Sequence, residues 1–320
     1  MIGFLKLVRL PNVFTALSNV LGAWAVVTIL TKKQILGLAS IESSKVILLL
    51  ISSASLYMAG MAFNDIADRE EDAKIRPNRP IPSGAVSLNQ AILCGVALLL
   101  IGLSAAMKAT PISIYFALPL AAAILFYDFV AKRGKIPGIA SLGVCRFLNV
   151  LLGLSLAATS TESKLELNLG SLTGNSTDPL SFLKAHNEYW IPPLAIGLYA
   201  AGITAFSAQE EAGKRNTMIL LGWVLVLAGM GFAYSSGLYA MFGLIPLTAW
   251  LVRCTINLIK DGGPLAARDL VRSAVMGVCV VDASLVLGFG GKDWIWAACL
   301  IALLPLPGIM VAKWLTQKEA

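Results

Sequence analysis

Residues 64–84 read NDIADREEDAKIRPNRPIPSG and follow directly on the apolar run KVILLLISSASLYMAGMAF. This stretch holds five carboxylates and four basic side chains. If 61–75 continue the apolar segment as one helix, Asn64, Asp68 and Asp72 stand at i, i+4 and i+8. Their oxygens then form a nearly vertical column about 12 Å tall on one face. Asp65 flanks the column, and Glu71 lies three residues from Asp68. A few hard, anionic oxygens are the ligand type Mg²⁺ prefers, with the remaining positions left to water and phosphate. Without a cation, such close like charges repel in a low-dielectric setting. Arg76 and Arg79 suit phosphate oxygens, because the guanidinium fork meets them bidentately. Pro77, Pro80, Pro82 and Gly84 are expected to end the helix and fold the basic part back over the acidic one.

Other charged positions fall into the same pattern. Lys132 and Arg133 follow a later apolar run, and Glu210, Glu211, Lys214 and Arg215 follow another. Lys132 and Lys214 are read as phosphate partners. Glu210 and Glu211 either hold a second metal ion or belong to an ordinary helix end, since adjacent helical residues point about 100° apart. Arg146 lies in the middle of SLGVCRFLNVLLG with Asn149 three residues on, on the same face. A cation in a membrane span is costly and normally faces a polar cavity or a partner. Diphosphate or acceptor contact is expected of Arg146, with an intramembrane structural pair as the alternative. Asp282 is a second midspan charge, either paired with Arg146 or Arg253 or an acceptor-side polar group. The single histidine, His186, is read as a surface residue, which leaves no basis for histidine catalysis. The five cysteines are scattered through apolar segments and imply neither disulfides nor a metal site.

The elements that must position these groups are transmembrane helices. The 320 residues are 57% hydrophobic and only 13% charged, where soluble domains run near a quarter. Ten apolar segments have about the length a bilayer requires: 13–31, 46–63, 86–107, 111–127, 137–158, 190–208, 217–235, 237–259, 269–289 and 293–313. The first is expected to be an uncleaved span, preceded by a short interfacial helix in 1–12 with Lys6 and Arg9 on its polar side. With a cytoplasmic N-terminus, sixteen Lys and Arg residues fall on the cytoplasmic side and seven on the other. The net charge of +7 therefore sets topology, and nucleic-acid binding is excluded as its purpose. The expected architecture is all-α: a polytopic, multi-pass integral-membrane bundle of nine to ten spans around a central lipid-accessible cavity. It forms one domain over 1–320, with an extracytoplasmic loop at 159–189. All the sharply charged sites fall on the cytoplasmic face, which predicts one funnel-shaped mouth there.

The opening stretch resembles the first motif of the UbiA superfamily of intramembrane prenyltransferases, N-D-x-x-D-x-x-x-D followed by x-x-x-R-x-x-R-P. Here it stands as Asn64, Asp65, Asp68, Asp72, Arg76, Arg79 and Pro80. Arg9-Leu-Pro-Asn12, Tyr127, Lys132-Arg133 and Arg146-x-x-Asn149-x-x-x-Gly153 agree with the same resemblance. It implies a helical bundle in which Mg²⁺ bridges an isoprenyl diphosphate, whose allylic C–O bond ionises with diphosphate as leaving group. A lipophilic acceptor, aromatic in much of the family, then takes the prenyl group. The resemblance makes Asp65, Asp68 and Asp72 the catalytic carboxylates. It places the metal on Asn64, Asp65, Asp68 and Asp72, with Glu210 and Glu211 as substitutes at a second site. Diphosphate would be held by Arg76, Arg79, Lys132, Arg146, Asn149 and Lys214.

The second family motif, D-x-x-x-D before a glycine, is altered: its aspartate positions fall on Ala205 and Gln209. In this, and in RLPNVFTA, the chain resembles the EboC-type branch of UbiA-like proteins. That resemblance implies an alternative, a non-catalytic membrane protein that binds or translocates an amphipathic secondary-metabolite precursor.

Overall fold

In the computed structural model the described residues are 2–34, 43–157, 187–212, 216–261 and 263–317, and among them the chain is helical throughout. In chain order the helices are α1 (Ile2–Leu7), α2 (Phe14–Gln34), α3 (Ser43–Ala67), α4 (Arg69–Ile75), α5 (Leu88–Ala109), α6 (Ile114–Phe129) and α7 (Lys135–Leu154). They continue as α8 (Ile191–Ala212), α9 (Asn216–Tyr234), α10 (Met241–Asp261), α11 (Pro264–Gly290), α12 (Ile295–Ala302) and α13 (Pro305–Gln317). Most of the loop read at 159–189, with His186, lies outside the described residues.

Nine helical segments among the described residues are long and apolar enough to cross a membrane. The tenth apolar segment, 293–313, folds as two pieces, α12 and α13, separated at Leu303-Leu304 before Pro305. At 1.5 Å per residue neither piece alone covers a hydrocarbon core of about 30 Å.

The packing is that of a membrane bundle, in which small residues let helix backbones approach and large apolar side chains face outward. Along α5, Leu93, Leu100, Ile101 and Met107 are exposed, whereas Gly95, Gly102, Ala105 and Ala106 are buried. A Cβ on Gly102 would lie 2.8 Å from Leu56 Cγ, so only glycine lets α5 lie this close on α3. The start of α5 is fixed by a capping box between Ser87 and Gln90. α7 packs between α2, α6 and α8, and α11 against α2, α8 and α10.

Three local features place the charged residues. First, the helix carrying the acidic column is not continuous: α3 ends at Ala67 and α4 begins at Arg69, with Asp68 between them at φ −91°, ψ 0°. Backbone bonds from Asp68 N to Asn64 O (3.0 Å) and Asp72 N to Asp68 O (2.8 Å) span the break, so the column survives it. Second, the Pro-rich segment folds back as expected, closing with a bond from Val86 N to Pro80 O (3.0 Å) and a turn at Gly84 (φ 75°). Third, α1 does not put Arg9 on an outward polar face. Leu7 is buried in a cluster with Ala59, Phe63, Ile66 and Val86. Arg9 follows with left-handed backbone (φ 46°, ψ 49°), alone among the described non-glycine residues in having positive φ. That turn aims its side chain inward.

Candidate functional site

The inward turn brings Arg9 to Asp65, where Arg9 Nη2 donates to Asp65 Oδ1 at 3.0 Å. Arg79 Nη1, returned by the Pro-rich segment, donates to the same oxygen at 2.9 Å. Burial, and then the neighbouring Arg9, lower the Arg79 pKa from its ordinary value, while Asp65 and Asp72 oppose them. Asp72 pairs with Arg76 at 3.6 Å, and Asp68 pairs with Lys132. Lys132 also donates to Asn64 Oδ1 at 3.2 Å. Every aspartate of the motif is thus matched by a cation from this chain.

These residues line a polar cavity of about 600 Å³, walled by Arg9, Asn64, Asp68, Glu71, Asp72, Arg76, Arg79, Tyr127, Asp128, Lys132, Arg133, Lys135, Thr204 and Ser207 among others. Six of its side chains are basic and four acidic, a balance that favours an anion. Asp65 is not part of this wall. It lies behind Arg9 and Arg79, 2% exposed, and orients both. The direct metal contact expected of it is not what its position gives.

A second cavity of about 260 Å³ adjoins the first and shares Arg9, Asn64, Tyr127 and Asp128 with it. Its other walls are largely apolar, including Gly60, Met61, Leu120, Ile124, Leu142 and Cys145. Arg146 and Asn149 line this cavity and not the polar one. The reason is depth. α7 presents Gly138 and Ile139 to the polar cavity, and Arg146 lies seven residues further along, about 10 Å deeper. Arg146 donates to Thr15 Oγ1 (3.0 Å) and Asn19 Oδ1 (3.4 Å), with its guanidinium 5.4 Å from the centroid of the Tyr57 ring. Asn149 donates to Ala16 O (3.1 Å) and accepts from Ser53 Oγ (2.8 Å), tying α7 to α2 and α3.

Asp282 pairs with neither Arg146 nor Arg253. Its Oδ2 accepts from Ser18 Oγ at 2.6 Å and Asn19 Nδ2 at 2.8 Å. Asn19 therefore links carboxylate and guanidinium through its two amide atoms, one helix turn from the cavity floor.

Glu210 and Glu211 lie on the last turn of α8, but their side chains fall outside the described residues, as does Lys214. Upstream on α8, Thr204 and Ser207 face the polar cavity while Ala205 is fully buried. Sequence reasoning missed Arg9 and Asp128 as site residues. The Arg9-x-x-Asn12 pattern carried a signal for the first. Asp128 had none beyond a single acid at the end of an apolar helix.

The donor set fits Mg²⁺. Among the described residues no three carboxylates, histidines or cysteines form a ready-made metal cage. Mg²⁺ does not need one, being commonly held by one or two carboxylates plus substrate phosphates. Asn64 Oδ1 and an Asp68 oxygen already converge on one cation, the Lys132 ammonium. Two buried carboxylate oxygens at the site, Asp65 Oδ2 and Asp128 Oδ2, have no hydrogen-bond partner.

Comparison with known proteins places the chain. A model of the UbiA prenyltransferase family matches residues 25–268. The chain is 30% identical over 296 residues to digeranylgeranylglyceryl phosphate synthase of Ignicoccus hospitalis, covering 90% of this chain and 89% of that one. It is 27% identical over 219 residues to 4-hydroxybenzoate octaprenyltransferase of Idiomarina loihiensis, covering 65% and 74% respectively. In three dimensions it resembles a chain from structural work on digeranylgeranylglyceryl phosphate synthase in membranes, with a TM-score of 0.59 and 18% identity. That likeness covers 90% of this chain and 97% of the other, and it is a likeness of fold.

Proposed function

The chain belongs to the UbiA prenyltransferase family, and from that premise we propose that it transfers a prenyl group from an isoprenyl diphosphate to a lipophilic acceptor, with Mg²⁺, inside the membrane. The observation that carries this reading is the junction of the two cavities. A charged head fits the cationic chamber, a hydrocarbon tail fits the apolar one, and the bond between them falls among Arg9, Asn64, Tyr127 and Asp128.

Asn64, Asp68 and Asp72 would hold Mg²⁺, which when bound neutralises charge on the departing diphosphate. Arg76 and Lys132 would exchange their present partners, Asp72 and Asp68, for diphosphate oxygens, and Arg79, still held by Asp65, would bind the diphosphate beside them. Asp65 keeps Arg9 and Arg79 aimed at the cavity. The apolar chamber orients the tail and keeps water from the allylic carbon once the C–O bond has broken. Arg146, which has no carboxylate within 4.0 Å among the described residues, is placed to meet an anionic group on the acceptor. The names of both relatives point to acceptors of that kind, an aromatic acid and a glyceryl phosphate. The positive-inside distribution sets the N-terminus and the mouth of the polar cavity on the cytoplasmic side.

Release of diphosphate from farnesyl and geranylgeranyl diphosphate by the purified protein tests the reading. Mg²⁺-dependent release that is lost in Asp68→Ala supports it. Tight Mg²⁺-dependent binding without turnover, across aromatic and phosphoglyceryl acceptors, supports instead the carrier reading that the carboxylate-free second-motif positions Ala205 and Gln209 would favour.

A further inference from the structure

Among the charged residues of the polar cavity that nothing so far accounts for, Asp128 is the buried one. It sits at the C-terminal end of α6 and is 2% exposed. Its Oδ2 is buried with no hydrogen-bond partner, and no basic side chain pairs with it within 4.0 Å among the described residues. A carboxylate taken out of water without a donor or counterion costs on the order of several kcal/mol. Such a group is kept either as the neutral acid or by a compensating cation. Its charged surroundings are Lys132, Asp68, Arg9 and Asp65. The Arg9 and Lys132 cations are already engaged, by Asp65 in the first case and by Asn64 and Asp68 in the second. A small, hard cation is the partner that would let Asp128 stay ionised at the meeting point of the two cavities.

We propose that Asp128 is a ligand for a divalent cation. It joins Asn64 and Asp68 around the place now held by the Lys132 ammonium, and the ammonium moves to the diphosphate when the metal enters. This rests on the reading of the polar cavity as a metal–diphosphate site. It assigns to α6 the anionic ligand that α8, with Thr204 and Ser207 facing the cavity, does not supply from its described residues. A monovalent ammonium at this position acts as a placeholder. It neutralises Asp68 in this structure and becomes a phosphate ligand once displaced, so the net charge of the chamber changes little through binding.

The test is Mn²⁺ binding to the full-length protein in detergent, followed by electron paramagnetic resonance with and without inorganic diphosphate. The wild type is compared with Asp128→Asn, Asp128→Glu and Lys132→Met. Asp128→Asn should weaken Mn²⁺ about tenfold or more, as loss of an anionic ligand does, and Asp128→Glu should recover part of that loss. Lys132→Met, with the competing ammonium gone, should bind Mn²⁺ several-fold more tightly without diphosphate and gain less when diphosphate is added. Asp128→Asn that elutes as wild type and binds Mn²⁺ within twofold of it overturns the role of Asp128 and leaves the motif reading intact. No Mn²⁺ binding by the wild type, even with diphosphate, overturns both.

Discussion

Arg9 and Asp65 are 56 positions apart in sequence, yet the Arg9 Nη2 proton is donated to Asp65 Oδ1 at 3.0 Å, beside the Arg79 guanidinium on the same oxygen. One carboxylate therefore holds together the chain's beginning, the end of α3 and the Pro-rich loop. Two like charges share it, so removing it does more than delete a contact. Asp65→Ala should lower stability by about 2 kcal/mol or more, because it leaves two cations facing each other. Thermal unfolding in detergent measures this, and diphosphate affinity should fall in the same variant.

The backbone of Arg9 gives a sharper test. A residue with a Cβ in left-handed conformation carries a cost of about 1–2 kcal/mol that glycine does not. Arg9→Gly and Arg9→Ala both lose the ion pair, but the glycine variant should be the more stable of the two by about 1 kcal/mol. Equal melting temperatures would show that the turn carries no strain.

Asp282 separates structure from head-group binding. Asp282→Ala removes two hydrogen bonds to a buried carboxylate and should cost about 3 kcal/mol. Because Asn19 then loses its partner on one side, the variant should also weaken selection for anionic acceptors through Arg146. Mn²⁺ and diphosphate binding should remain at wild-type levels, since Asp282 lines neither cavity wall.

The walls of the apolar chamber should set chain length. Leu120 and Met61 line it, and truncating either to alanine opens space at the tail end. At about 0.8 kcal/mol per buried CH₂, one further methylene accommodated is worth roughly fourfold. Leu120→Ala should raise the ratio of kcat/KM for geranylgeranyl over farnesyl diphosphate by several-fold. An unchanged ratio would mean the tail leaves the chamber elsewhere.

Much of this was legible in the sequence because it depends on local spacing. Asn64, Asp68 and Asp72 share a face whether or not the helix breaks at Asp68, since four-residue steps survive one distorted residue. Arg79 returns to the acids because three prolines and Gly84 leave the loop few other paths. The failures are equally physical. Reading 1–12 as an amphipathic surface helix places Arg9 outward, but α1 stops at Leu7 and a single left-handed residue reverses the outcome. For Arg146, one-dimensional order does not convey that it lies about 10 Å deeper than the polar cavity's wall. Asp128 has no periodic partner in sequence. Its significance comes from α3, α6 and α7 closing around it.

α13 packs against the short turn Leu10–Asn12 that follows Arg9, so closely that a side chain at Gly308 would collide with the Pro11 carbonyl oxygen. The family-matching stretch ends at residue 268, and this buttress lies beyond it. Synthesis runs from Arg9 to Gly308, so the turn after Arg9 waits for a segment made about 300 residues later before it is locked. The Arg9 side of the polar cavity is fixed only then. A chain interrupted before Gly308 would hold most of the described membrane helices without the contact that fixes Arg9. Such a chain could insert with its polar cavity unfinished.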